Sequence, residues 1–303
     1  MTASRGRAGV ERQVGAFSLD SQYSQQQSRR AAYDMLLLLL LAGGAAAAPA
    51  DSKPEAFAGG VLVTGAGGKT GSLIYKQLKA QGVKDLRASV YSLDKARSAL
   101  GCTKCDASEG IFVGDVTKPE TLAESFRGVK TVLCAVGASP GMNATLQQAV
   151  EFTGVENQIA ALTAGNPGVE PTELTFVLCS SMGTTDPTPK PYEGGPILFW
   201  KLNAEAFLGS CGVTAVVVKP GGLLDGPQGK STLVVGHDDK LLASVSPPTV
   251  TRADVAAVMV AAAAERSNLR FGLVSKPGPP GDMHALLQSA RWPWDRRGQQ
   301  HEL

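Results

Sequence analysis

The sequence is short of aromatic residues, which make up 6% of its 303 positions, and it holds only five cysteines and three histidines. Five scattered cysteines exclude a disulfide-framework domain. Cys102-Thr-Lys-Cys105 is a lone C-x-x-C without the second pair that a structural zinc site needs. It reads as a surface turn between a helix and a strand, with a redox pair as the lesser reading. Cys134 and Cys179 fall in apolar runs where a thiol acts as a small hydrophobe, and Cys211 marks a helix end. Neither sign of charge dominates: 29 Lys and Arg face 27 Asp and Glu. Five of those bases and three of those acids lie in the first fifty residues, so the remainder is balanced and offers no footprint for nucleic acid. The longest apolar run, 35–48, is too short to span a bilayer comfortably, and no stable membrane span is expected. There is no G-x-S-x-G and no Ser/His/Asp constellation for hydrolysis. His237-Asp238-Asp239 has no further ligands close by and reads as a turn between two short strands, while His284 and His301 fall in a weakly patterned tail.

What the chain does have is small residues and a glycine turn. Val61-Leu-Val63 reads as a buried strand, four glycines (Gly65, Gly67, Gly68, Gly71) follow, and an amphipathic helix covers about 70–81. Strand, glycine turn and helix in that order are the context of a dinucleotide-binding fingerprint, here in the variant Gly65-x-x-Gly68-x-x-Gly71. Gly67-Gly68-Lys69-Thr70 imitates a Walker A ending, but Val63 stands where that motif needs its first glycine. Strands then alternate with helices: strands near 86–91, 111–114, 131–136, 174–179, 213–219 and 271–274, and helices near 118–126, 144–164, 197–210 and 252–265. This is the pattern of an α/β fold with a doubly wound parallel sheet in a single domain. The Pro/Gly-rich loop 183–196 and an expected hairpin at 235–240 interrupt it, both just after strand ends where α/β proteins place ligand contacts.

The expected organisation is a leader and linker over 1–58, a dinucleotide-binding domain over 59–275 and an irregular tail over 276–303. Residues 1–30 are rich in Arg, Ser and Gln like a transit peptide, and Arg29-Arg30 precedes a leucine run closed by Ala48-Pro49-Ala50. A bipartite organellar leader fits both halves, with the plastid (chloroplast) as expected destination; without a functional leader the chain would be cytoplasmic.

Thr64–Gly71, Gly114-Asp-Val116, Asn157-Gln-Ile-Ala-Ala161, Ser181-Met-Gly-Thr-Thr-Asp-Pro187, Leu198-Phe-Trp-Lys201, Lys219-Pro-Gly-Gly-Leu-Leu-Asp225 and Arg252-Ala-Asp-Val-Ala256 together resemble the atypical short-chain dehydrogenases/reductases. The likeness is to the NmrA-like part of that superfamily, in a plant and algal group of NAD(P)-binding proteins, and covers about 59–275. It implies a Rossmann domain with a small C-terminal substrate-facing portion that binds NADP(H). Carried over position by position, Gly65, Gly67, Gly68 and Gly71 would hold the pyrophosphate and Thr70 would cap the helix start. Lys69 would lie near the adenosine phosphates, and Asp115 and Val116 would contact adenine. At the end of the second strand an acid would favour NAD. Tyr91 stands there, with Lys95 and Arg97 close behind, which tilts the expected cofactor to NADP over NAD.

The resemblance also implies catalytic Lys201, which would anchor the nicotinamide ribose, and Ser181, which would help polarise a carbonyl. The tyrosine of Tyr-x-x-x-Lys is missing, because Ile197 occupies its place. Tyr192 is nearby but off register and reads as a loop aromatic. Two functions follow as expectations: an NADP(H)-dependent oxidoreductase of a carbonyl or enone, or a non-catalytic NADP(H)-binding redox sensor or scaffold. The small-molecule substrate or protein partner is not specified by the sequence, and no metal is expected.

Overall fold

The computed structural model describes residues 57, 59–139, 141–185 and 196–292. The leader, Tyr192 with most of its loop, and His301 lie outside these residues. The chain divides into residues 1–54 and residues 55–303, and everything below concerns the second unit.

Strand β1 (Gly60–Thr64) leads through the glycine turn into helix α1 (Lys69–Ala80). Then come β2 (Leu86–Val90), α2 (Leu93–Leu100), β3 (Ile111–Val113), α3 (Ala123–Phe126) and β4 (Val129–Cys134). Helix α4 (Ala144–Gln148) runs through a π-helical turn (Ala149–Thr153) into α5 (Gly154–Ala164). After β5 (Thr175–Cys179) and α6 (Ile197–Leu208) follow β6 (Thr214–Pro220), β7 (Gly222–Leu224), β8 (Thr232–Gly236), α7 (Leu241–Ser244) and β9 (Thr249–Thr251). Helix α8 (Arg252–Glu265), β10 (Leu269–Lys276) and α9 (Met283–Ser289) complete the order.

Eight strands form one sheet in the order β3-β2-β1-β4-β5-β6-β10-β8, parallel throughout except where β8 runs antiparallel to β10. The strands read as unbroken apolar runs because both sheet faces are covered. Alternation still decides which layer each residue joins. Val61 and Val63 pack with Ile74 and Leu78 of α1 and with α8, whereas Leu62 packs with Phe126, Ile159 and Phe176 on the opposite face. Phe126 and Phe176 are fully buried, and truncating either to alanine would cost about 3–5 kcal/mol. The sheet winds one way from β1 to β3 and the other way from β4 to β6. This reversal opens a crevice beyond the carboxyl ends of β1 and β4, where α/β proteins hold ligands.

Three expectations need correcting. No hairpin forms at 235–240: β8 pairs with β10, Val234 opposite Val274, and 237–240 turns into α7 instead. Val274 is thereby fully buried, and Asp238 and Asp239 take the left-handed conformation that aspartate tolerates better than most residues. The tail is not irregular throughout. Asp282 accepts a hydrogen bond from Ala285 N–H (2.7 Å) to start α9, whose Leu287 joins the core; the preceding run of Pro and Gly had masked this apolar position. Cys102 and Cys105 form a disulfide rather than a simple turn. Glu109 accepts hydrogen bonds from the N–H groups of Thr103, Lys104 and Cys105, folding the backbone around the bridge. With both sulfurs bonded to each other, Cys102, Cys105 and Glu109 offer no thiolate pair to a metal. Among the described residues no helix is long and apolar enough to cross a membrane.

Candidate active site

At two of its four glycines the turn is built so closely that a side chain cannot enter. A Cβ on Gly71 would lie 2.2 Å from the Gly65 carbonyl oxygen. Gly65 itself has φ +70°, and a Cβ there would meet the Ala135 carbonyl oxygen, beyond β4, at 2.7 Å. Gly67 differs: the nearest atom to its added Cβ would be Lys95 Cβ at 3.5 Å, so packing alone does not require glycine there. Gly68 occupies the N-cap position of α1 without any side-chain cap, and Thr70 lies inside the first turn. The first turn has no acid and the last has Lys79, so the dipole's positive end is left unmasked. Lys69 Nζ lies 3.2 Å from Asp225, whose other oxygen takes Arg252 at 2.6 Å. The hydrogen bond from Lys69, aided by Arg252, holds the Asp225 carboxyl below the usual carboxylate range.

On the expected adenosine side, Tyr91 follows β2 and is exposed. Asp115 caps its own loop by accepting from Thr117 N–H (3.0 Å) and Oγ (2.7 Å). Asn157 donates to the Val116 carbonyl (2.8 Å), and a Cβ on Gly154 would come within 2.7 Å of Val116. Gln158 meets Thr64 at the end of β1 (2.7 Å). The Asn157-Gln158 pair thus fixes the carboxyl ends of two strands at the crevice.

A cavity of about 310 Å³ opens beyond β4 and β5, lined by residues that include Thr70, Gln147, Glu151, Ser181, Ile197 and Lys201. Of the expected site residues it unites Thr70, Ser181 and Lys201; Asp115 and Val116 do not line it. Lys201 Nζ meets Glu151 Oε2 at 2.7 Å, with the two side chains 14% and 4% exposed. Glu151 Oε1 accepts from Ala138 N–H (2.7 Å), in the loop after β4. Burial opposes the Lys201 charge, but the Glu151 carboxylate more than offsets it and keeps the ammonium above its ordinary range. Burial also pushes the Cys179 thiol up to about 11, so it lines the wall as a neutral group. Ser181 Oγ donates to the Met182 carbonyl (2.9 Å). Ile197 does line the cavity four residues before Lys201, and it offers no proton.

A second charge cluster lies one turn further along α6. Glu205, 1% exposed, accepts from Ser180 (2.5 Å) and Thr184 (2.9 Å) on one oxygen and from Arg270 (2.6 and 2.9 Å) on the other. It therefore ties both flanks of the Ser181 segment to the helix that carries Lys201. Lys219 Nζ sits 3.1 Å from Asp239, and Asp239 accepts from Thr185 N–H (2.7 Å). Burial resists ionisation of Asp239, yet the Thr185 N–H and Lys219 hold its carboxyl below the usual range. His237 stacks on Trp292 with ring centroids 3.8 Å apart. Sequence reading did not single out Glu151 or Glu205. Each acid shares its helix face with another polar residue, Gln147 or Lys201, so no local pattern set it apart.

Strand order, glycine turn and crevice define a Rossmann dinucleotide-binding protein. The chain belongs to the NAD(P)H-binding family, whose model matches residues 65–266. It is 31% identical over 252 residues to an uncharacterized chloroplastic protein of Arabidopsis thaliana, covering 75% of this chain and 74% of that one. It is also 31% identical over 277 residues to sanguinarine reductase of Eschscholzia californica, covering 77% and 97% of the two chains. Among solved structures, a Bacillus halodurans protein assigned to the NAD-dependent epimerases/dehydratases superposes with a TM-score of 0.59 at 21% identity, over 77% of this chain and all of that one, a likeness of fold.

Proposed function

We propose that this protein is an NADP(H)-dependent oxidoreductase that reduces a carbonyl or enone in the cavity beyond β4 and β5. The observation that carries this reading is Lys201, charged and nearly buried beside Ser181 in a cavity that adjoins the unmasked start of α1. The bound cofactor would supply the hydride. Gly65, Gly67, Gly68 and Gly71 would leave room for its pyrophosphate, Thr70 and Lys69 would border it, and Asp115 and Val116 would flank the adenine. Lys95, next to Gly67, and the lack of an acid at Tyr91 favour the 2′-phosphate of NADP over NAD. Lys201 would hold the nicotinamide ribose, and Ser181 would face the acceptor oxygen. The name of sanguinarine reductase supports a reductase role. The chloroplastic relative supports a plastid address, testable by fusing residues 1–58 to a fluorescent reporter.

Calorimetric titration with NADPH and NADH tests the cofactor reading. Tight NADPH and weak NADH binding is the expected result, and failure of both to bind in the micromolar range would overturn it. Ile197 in the tyrosine's place favours a second reading, a non-catalytic NADP(H)-binding sensor or scaffold. Lys201→Ala separates the two: an enzyme loses turnover along with affinity, whereas a sensor changes only in ligand and partner binding.

A further inference from the structure

The wall of the cavity facing α6 is built from α4 and the π-turn, and it presents acceptors. Glu151 sits in that turn with one carboxylate oxygen on Lys201 and the other on Ala138 N–H. One turn earlier lies Gln147, 1% exposed. Its amide nitrogen donates to the Met142 carbonyl (2.8 Å), which settles which end is oxygen. The buried Gln147 oxygen has no hydrogen-bond partner. With almost none of its surface accessible, that oxygen belongs to the body of the wall and is closed to a ligand in the cavity. The remaining described lining is small, apolar or hydroxylic, and Cys179 stays a neutral thiol. Lys201 and Glu151 are therefore the charged side chains among the described lining residues, and they cancel. An anion placed at Lys201 would have to approach Glu151 as well, in surroundings where like charges are poorly screened.

We infer that Glu151 sets the acceptor class of this site: by neutralising Lys201 it admits an uncharged or cationic hydride acceptor, and it refuses a carboxylate at Lys201. The inference rests on reading the cavity as the hydride-transfer site. Glu151 is a positioning residue here, acting through Lys201. The other titratable groups facing Lys201 among the described residues are Cys179 and Cys134, both protonated at neutral pH because burial raises their pKa values.

The test is the acetylation rate of Lys201 in the full chain, read by mass spectrometry across pH 7–10, with and without benzoate as an anionic probe. Only the free amine reacts. In the wild type Lys201 should label slowly at every pH below its raised pKa, and benzoate should not protect it. In Glu151→Gln the unpaired buried ammonium should lose its proton more readily, giving about tenfold faster labelling for each unit by which the pKa falls. Benzoate should now protect. Glu151→Asp should fall between the two, and it carries the test alone if Glu151→Gln does not fold. Labelling that is the same in the variants as in the wild type overturns the inference, as does benzoate protection of the wild type. NADPH titration of the same wild-type sample is a separate readout: its failure would sink the cofactor assignment and leave the labelling result to stand on its own.

Discussion

The two ends of the crevice are made of different materials. The cofactor end is backbone: glycines at van der Waals contact with Gly65 and Ala135, and a helix start with nothing capping it. The acceptor end is side chain: two buried carboxylates, each held to a cation from another element. A backbone site is specified largely within a dozen consecutive residues, and at Gly65 and Gly71 it tolerates no added atom. A side-chain site is assembled from distant parts, so it can change charge while its shape is kept.

Substitutions can break that contrast at either end. The largest effect is expected for Glu205→Ala, which takes the carboxylate from Arg270, leaves Lys219 to Asp239 alone, and should cost about 3–5 kcal/mol in denaturant unfolding. Gly71→Ala should follow, at about 1–3 kcal/mol of overpacking together with loss of NADPH binding, because the new methyl meets backbone rather than a flexible side chain. Gly67→Ala is its control: stability should stay within about 0.5 kcal/mol while NADPH affinity falls, since only a ligand needs that space.

A pH series probes the acceptor end more gently. The folded pKa of Asp239 is depressed, so its contribution is fully present above the unfolded value of about 3.9 and is lost as pH falls through the lower folded value. Asp239→Asn should therefore be less stable than wild type at pH 7, and the difference should shrink below about pH 4 in parallel unfolding curves. The smallest effect is expected at Asp225, which is exposed and occupies Lys69. Asp225→Asn frees that lysine and should tighten NADPH binding by roughly two- to fivefold at low salt, within the range of exposed ion pairs. Unchanged or weaker binding would show that Asp225 does not compete with the cofactor.

The backbone end was legible in the sequence because all of it but the contact with Ala135 lies between Val61 and Gly71. The doubly wound parallel sheet followed from the alternation of apolar strands with helices, and Lys201 and Ser181 came from motif resemblance. Glu151 and Glu205 were not legible, because their partners lie 50 and 65 residues away and nothing local marks them as buried. The missed helix α9 has the opposite cause. Its local signal is sound, with Asp282 at the cap, but it is preceded by Pro and Gly that look like the end of the fold.

The π-turn at Ala149–Thr153 places two faces of one long helix out of phase. Before it and within it, Gln147 and Glu151 look into the cavity; after it, Val155, Ile159 and Leu162 look into the core. Such a turn holds one residue more than a regular helical turn. Deleting a single residue there would leave a helix of ordinary geometry but rotate the cavity wall by about 100° against the core. What must be kept over this stretch is therefore a count of residues as much as their identity. The reading frame of the wall, and with it the character of the site, hangs on that count.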